Sequence, residues 1–125
     1  VLHLHGEILK KRCTHNAQQI AKAEENMELE KTPWGGYWRP HIVWFGEDVP
    51  LLEKAAQWVS EADVFVVVGT SLLVYPAASL IHYAHPKCQQ WIIDPKIPQQ
   101  ISSHFNIIES PANSGIQKFI DQLNQ

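Results

Sequence analysis

The sequence predicts an α/β fold: a parallel sheet with helices on both faces, interrupted by a small inserted module. Three observations predict it. The runs "HIVWF", "VFVVV" and "QQWIID" have the length and β-branched content of strands buried on both faces. Between them apolar residues recur at three-four spacing, as one face of a helix requires. The alternation is broken only by a polar stretch over residues 10–38, which reads as the insert.

Taken in order, residues 1–5 alternate Val1, His3 and His5 with Leu2 and Leu4, the period-two pattern of a strand. Thr14 or Asn16 is placed to cap a helix over "AQQIAKAEENMEL", with Ala17, Ile20, Ala21, Glu24 and Met27 on one thin face. Pro33, Gly35, Gly36 and Pro40 mark "EKTPWGGYWRP" as loop, and "HIVWF" follows as a strand. Asp48 and Pro50 open a helix carrying Leu51, Leu52, Ala55, Trp58, Val59 and Ala62. "VFVVVG" is the next strand, and Pro76 starts a helix with Ala77, Leu80, Ile81 and Ala84 on its face. "QQWIID" and "FNII" complete the strands, and Asn113 or Ser114 caps a last helix bearing Ile116, Phe119, Ile120 and Leu123.

Composition narrows the function. A net charge of −3, with no basic stripe, argues against nucleic acid. No apolar run is long enough to span a bilayer, and no signal peptide is visible. Two cysteines, Cys13 and Cys88, make no disulfide framework, so a reducing cytoplasm is the expected location. The chain opens without Met directly on a strand pattern, the signature of a piece of a longer protein. An incomplete sheet would leave an unpaired edge through which two copies could form a homodimer.

Ligands of open parallel sheets collect at the carboxyl ends of the strands. Those ends carry His5-Gly6-Glu7, Phe45-Gly46-Glu47, Gly69-Thr70-Ser71 and Asp94-Pro95. Glycine lets a ligand approach the backbone, hydroxyls bond a ribose or phosphate, and a carboxylate suits a ribose diol. Tight turns need glycine too, but four such ends together favour a nucleotide. No G-x-G-x-x-G is present. His5, beside a glycine at a strand end, is the candidate general base. His82 and His85 read as surface or capping residues, and His3 with His5 lacks a second ligand cluster. One early thiolate, Cys13, cannot hold a structural zinc alone.

The segments "LHGE", "RPHIVWFGE", "ADVFVVVGTSLLVYPAASL" and "SPANSGIQKFIDQL" resemble the second half of a sirtuin, a NAD-dependent protein lysine deacylase, and most resemble the bacterial members. The resemblance implies a Rossmann-like sheet and the C-terminal part of a catalytic domain over residues 1–125. It implies that His5 is the catalytic base on a ribose hydroxyl. It places Gly69, Thr70 and Ser71 against the nicotinamide ribose and phosphates, Asp94 at the adenosine ribose where the family usually has Asn, and Ala112 beside the adenine. Val43 would bond the acyl-lysine amide through its carbonyl, and Phe45 would wall the lysine tunnel. Gly46 and Glu47 on one side, and Leu73, Val74 and Tyr75 on the other, would clamp the substrate peptide as an added strand.

The resemblance also carries a zinc module with two cysteine pairs. Here the four positions read Cys13, Asn16, Lys31 and Trp34, so residues 10–38 are expected to be a remnant without metal, with Trp34, Tyr37 and Trp38 packing in its place. The family's Gly-rich phosphate loop would precede Val1. The full-length parent is therefore expected to deacylate acyl-lysine, releasing nicotinamide and O-acyl-ADP-ribose, and the chain alone to be inactive. The alternative is a module that binds NAD or ADP-ribose without turnover.

Overall fold

A computed structural model of the chain describes residues 1–25, 28–70, 72–97 and 103–124. The chain divides into two compact units, Val1–Leu51 and Leu52–Gln125.

The second unit is the parallel sheet. β4 (Val64–Val68), β5 (Gln89–Asp94) and β6 (Asn106–Glu109) lie side by side in that order, all parallel. Their apolar runs are unbroken because both faces are covered. On one face Val67, Ile92 and Phe105 pack with Phe65, Leu72, Ile81 and Ile97. On the other, Trp91, Ile93 and Ile108 pack with Val64, Val66 and Phe119. The adjacent Ile92 and Ile93, both 0% exposed, point to opposite faces as the pleat requires. Helix α2 (Ala112–Leu123) lies against β5 and β6, with Phe119 edge-on to Trp91 at 5.3 Å. Helix α1 (Leu52–Ser60) buries Ala55 and Val59, and packs against a 3₁₀ helix over Ala77–Tyr83.

Two expectations shift here. The helix after Pro76 is 3₁₀, and both the N–H and the hydroxyl of Ser79 go to Pro76 O, three residues back, at 3.0 and 2.7 Å. Neither Asn113 nor Ser114 caps α2; Pro111 stands at that position, and Asn113 Oδ1 accepts the Ser114 N–H from inside the first turn.

The first unit is an antiparallel sheet in the order β2, β1, β3, with β1 at Gly6–Cys13, β2 at Ile20–Lys22 and β3 at Trp38–Ile42. It corrects three expectations. Residues 1–5 are not a strand: Gly6 N–H closes a turn onto His3 O (3.1 Å), and β1 begins only at Gly6. The segment 17–25 is not helical. Asn16 turns the chain instead of capping a helix, with Oδ1 accepting Gln18 N–H (3.2 Å) and its carbonyl accepting Gln19 N–H (3.0 Å). Ile20–Lys22 then pairs with residues 10–12 of β1, while Met27 lies outside the described residues. Finally, "HIVWF" contributes only His41 and Ile42 to its strand, which runs antiparallel to β1 rather than joining the parallel sheet.

The pairing of β1 with β3 slips between Glu7 and Lys11, bulging residues 8–10 outward. Pro40 sits opposite Lys11 at that slip on an edge strand, where its missing N–H is tolerated. Among the described residues no helix is long and apolar enough to cross a membrane.

Candidate functional site

Within the first unit, the end of the antiparallel sheet brings His5 to the loop over residues 43–47. Gly6 pairs with Ile42, and one step further His5 O accepts Val43 N–H at 2.9 Å. Gly6 is required there: its φ is +83°, and a Cβ would overlap His41 O and stand 2.9 Å from Ile42 Cα. The His5 side chain is exposed.

After Val43 the chain turns, with Glu47 N–H on Trp44 O at 3.1 Å and Gly46 at φ +85°. The Glu47 carboxylate folds back into that turn. Its Oε2 accepts Trp44 N–H (3.1 Å), Arg12 Nη2 (3.0 Å) and Arg39 Nη2 (3.3 Å), and its Oε1 accepts Arg39 Nη1. The hydrogen bonds from Arg39 and then from Trp44 N–H, with the two guanidinium charges, hold the Glu47 carboxyl down at about 2. Burial pushes the neighbouring His41 imidazole down, helped by the Arg12 charge. Phe45, at the tip, is 96% exposed.

Within the second unit, the carboxyl ends of the parallel strands form one continuous edge. Gly69 N–H follows β4 onto Ile93 O (3.0 Å), and Ser110 N–H follows β6 onto Asp94 O (3.2 Å). A Cβ built on Gly69 meets nothing within 4 Å, so the backbone is open there. Thr70 Oγ1 accepts Leu72 N–H (3.3 Å) and Asp94 Oδ1 accepts Lys96 N–H (2.8 Å), so each turn is tied by the polar side chain that begins it. Ala112 opens α2. Leu73, Val74 and Tyr75 are exposed, with Val74 O accepting Ala78 N–H at 2.9 Å. Ser71 lies outside the described residues.

The structure thus brings His5, Val43, Phe45, Gly46 and Glu47 together in one unit, and Gly69, Thr70, Asp94 and Ala112 along one edge of the other. Sequence reasoning missed Arg12 and Arg39, which hold the loop. It also missed Ser110, whose buried hydroxyl bonds Ser114 Oγ at 2.9 Å, and Gly115, where a Cβ would overlap Ile93 Cγ2. Arg39 stood inside the quoted "RPHIVWFGE", but its distance from Glu47 along the chain gave no sign that they meet.

The four positions expected of a zinc module do not fit the metal. Cys13 Sγ, 1% exposed, lies 3.1 Å from Thr32 Oγ1 and 3.3 Å from Gly35 O. Asn16 Oδ1 is taken by Gln18 N–H, Lys31 pairs with Tyr37 as a backbone bridge, and Trp34 lies edge-on to Trp38 at 6.1 Å. Two of these residues have no metal-binding atom of the zinc type, and the one thiol is already bonded. Among the described residues no group of three or more His, Cys, Asp or Glu side chains could hold a metal ion. The Trp34 and Trp38 rings do meet. The centre of the module, however, is the polar knot of Cys13, Thr32 and Gly35.

A parallel sheet with an open carboxyl edge, joined in one chain to a small antiparallel module, is a Rossmann-like α/β arrangement. The Sir2 family model matches residues 1–76, and the chain belongs to the Sir2 family. It is 38% identical over 127 residues to an NAD-dependent protein deacylase of Bacteroides thetaiotaomicron, covering 94% of this chain and 54% of that protein. It is 47% identical over 96 residues to an NAD-dependent protein deacylase of Aggregatibacter actinomycetemcomitans, covering 76% and 46%. Among solved structures, a Sir2 homolog–NAD complex superimposes with a TM-score of 0.79 at 29% identity, over 98% of this chain and 50% of that one. The chain spans about half the length of the curated relatives it matches.

Proposed function

We propose that the full-length protein is a NAD-dependent protein lysine deacylase, that this chain is the C-terminal part of its catalytic domain, and that residues 10–38 are the zinc-type module without its ligands. The observation that carries the reading is the His5 O to Val43 N–H bond, which ties the base to the loop assigned to the acyl-lysine.

When bound, NAD supplies the ribose that accepts the acyl group as nicotinamide departs. Gly69, Thr70, Ser71, Asp94 and Ala112 hold it, and the open backbone at Gly69 fits the close approach of such a ligand. Asp94 keeps an acceptor carboxylate for a ribose diol while Oδ1 stays on Lys96 N–H. His5 takes a proton from a ribose hydroxyl, an imidazole's work near neutral pH. Phe45 walls the lysine stem, Val43 accepts the acyl-amide N–H, and Gly46, Glu47, Leu73, Val74 and Tyr75 pair with the peptide backbone.

The unpaired buried thiols of Cys13 and Cys88 suit a reducing cytoplasm. β4 stands at an edge of its sheet among the described residues, and a second copy pairing there is the homodimer that sedimentation would detect.

The test is nicotinamide release by the full-length protein given NAD and an acetylated peptide. His5→Ala should lower turnover by about 10²-fold or more while ADP-ribose still binds. Unchanged turnover in His5→Ala would remove the assigned base. Tight ADP-ribose binding with no turnover in the native protein would support a binding module instead.

A further inference from the structure

The Glu47 side chain does something other than face a peptide. Arg12 and Arg39 are direct cross-strand partners, so two guanidinium charges stand opposite each other on adjacent strands, an arrangement that is unfavourable alone. The Glu47 carboxylate lies between them and takes hydrogen bonds from both. Its remaining bond goes to Trp44 N–H, and the Arg39 guanidinium lies 5.1 Å over the Trp44 ring. Trp44 is therefore held by its main chain and by its ring. Phe45, the next residue, is left 96% exposed on a short, tied turn, an apolar ring that nothing in its own unit asks to be in water.

We infer that Arg12 and Arg39 are positioning residues for the acyl-lysine loop: acting through the Glu47 carboxylate, they fix the backbone of residues 44–47 so that Phe45 and Gly46 meet the substrate in place. This rests on the proposed deacylase function. A loop already in its bound geometry loses less conformational entropy on docking, so the device acts on peptide affinity rather than on the chemical step. Forked guanidinium contacts suit this task because they fix orientation as well as charge.

The experiment is steady-state kinetics of the full-length protein with both substrates varied. Glu47→Gln, which keeps the shape and removes the charge, should raise KM for the acetylated peptide by about tenfold or more, with kcat and the KM for NAD within about threefold of native. Arg39→Lys should fall between native and Arg39→Met, and Arg39→Met should add little in the Glu47→Gln background. Amide hydrogen exchange in the full-length protein reads the same device apart from misfolding: in Glu47→Gln the Trp44 amide should exchange at least about tenfold faster while the amides of β5 keep their native rate. An unchanged peptide KM, an equal rise in both KM values, or an unaltered Trp44 exchange rate overturns the assignment. No NAD-dependent turnover by the native protein would overturn the deacylase reading itself, a result separate from any of these.

Discussion

Gly6 and Gly46 have nearly the same backbone angle, +83° and +85°, but different surroundings, and that difference sets the effect of one added methyl. At Gly46 a Cβ meets nothing within 4 Å. Gly46→Ala then carries only left-handed strain of about 1–2 kcal/mol, offset by about 0.4–1 kcal/mol from a stiffer unfolded chain. The net is a loss of roughly 1 kcal/mol. At Gly6 the same strain applies, and the Cβ also runs into His41 O and approaches Ile42 Cα to 2.9 Å. Both are backbone atoms of the paired strand, so no side chain can swing aside. Overpacking of that kind adds about 1–3 kcal/mol, for a total near 2–4 kcal/mol. The readout is native-state exchange of the Val43 amide, whose partner is His5 O next door. Gly6→Ala should speed it by about 30-fold or more, and Gly46→Ala by about tenfold or less. Equal effects from the two variants would show that the β1 and β3 backbones do not approach as described, and with that the placement of His5 would fall.

The remaining predictions concern both units. Gly115→Ala should gain up to about 1 kcal/mol in helix propensity but lose about 1–3 kcal/mol by overlap with the buried Ile93 Cγ2. Ile93→Ala alone should cost about 2–5 kcal/mol, and the double variant less than the sum by at least about 0.5 kcal/mol in chemical denaturation. The Glu47 carboxyl falls from its ordinary 4.5 to about 2 on folding, so its stabilising contribution is present above pH 4.5 and is lost as pH falls through about 2. The difference in Trp44 amide exchange between the native chain and Glu47→Gln should therefore be full above about pH 5 and vanish below about pH 2.

The parallel sheet was legible because its signal is apolar and local. "VFVVVG" and "QQWIID" are short, largely apolar runs, and they became β4, one residue shorter than expected, and β5, with the expected bounds. The antiparallel unit gave no such signal. β1 contains Glu7, Lys10, Lys11 and Arg12, and its register is set by a bulge that no periodicity reports. Asn16 could cap a helix or close a turn, and the choice went to the turn because Ile20–Lys22 had a strand to pair with. The turns at Gly69 and Asp94 were readable from the strand runs before them. Gly6, however, opens an antiparallel strand and Gly46 follows another, so the four glycine- and acid-bearing ends do not share one sheet. Arg12, Arg39 and their shared carboxylate were not readable, because residues far apart in sequence meet there only through that register.

The same asymmetry bears on stability. Of the buried hydrophobic residues among those described, only Cys13 belongs to the first unit, and the others, from Ala55 to Ile108, all lie in the second. A unit of this size with so little apolar core needs a staple, and a structural metal is one way to supply it. Here the donor set does not fit a metal. What occupies that role is a group of polar knots: Cys13 with Thr32 and Gly35, Glu47 with its two arginines, and the buried Lys11 amine, 3.3 Å from Glu24, 3.7 Å from Glu30 and 5.2 Å from the centre of the Trp38 ring. The carboxylates of the ion pairs among these reach water, so salt weakens them, whereas packing around Ile92 and Ile93 does not depend on salt in this way. Raising ionic strength from about 0.05 to 1 M, which shrinks the Debye length from above 10 Å to about 3 Å, should speed amide exchange across β1 and β3 while leaving β5 unchanged or slower. If β5 loosened first, the first unit would have to be held by something other than its charges.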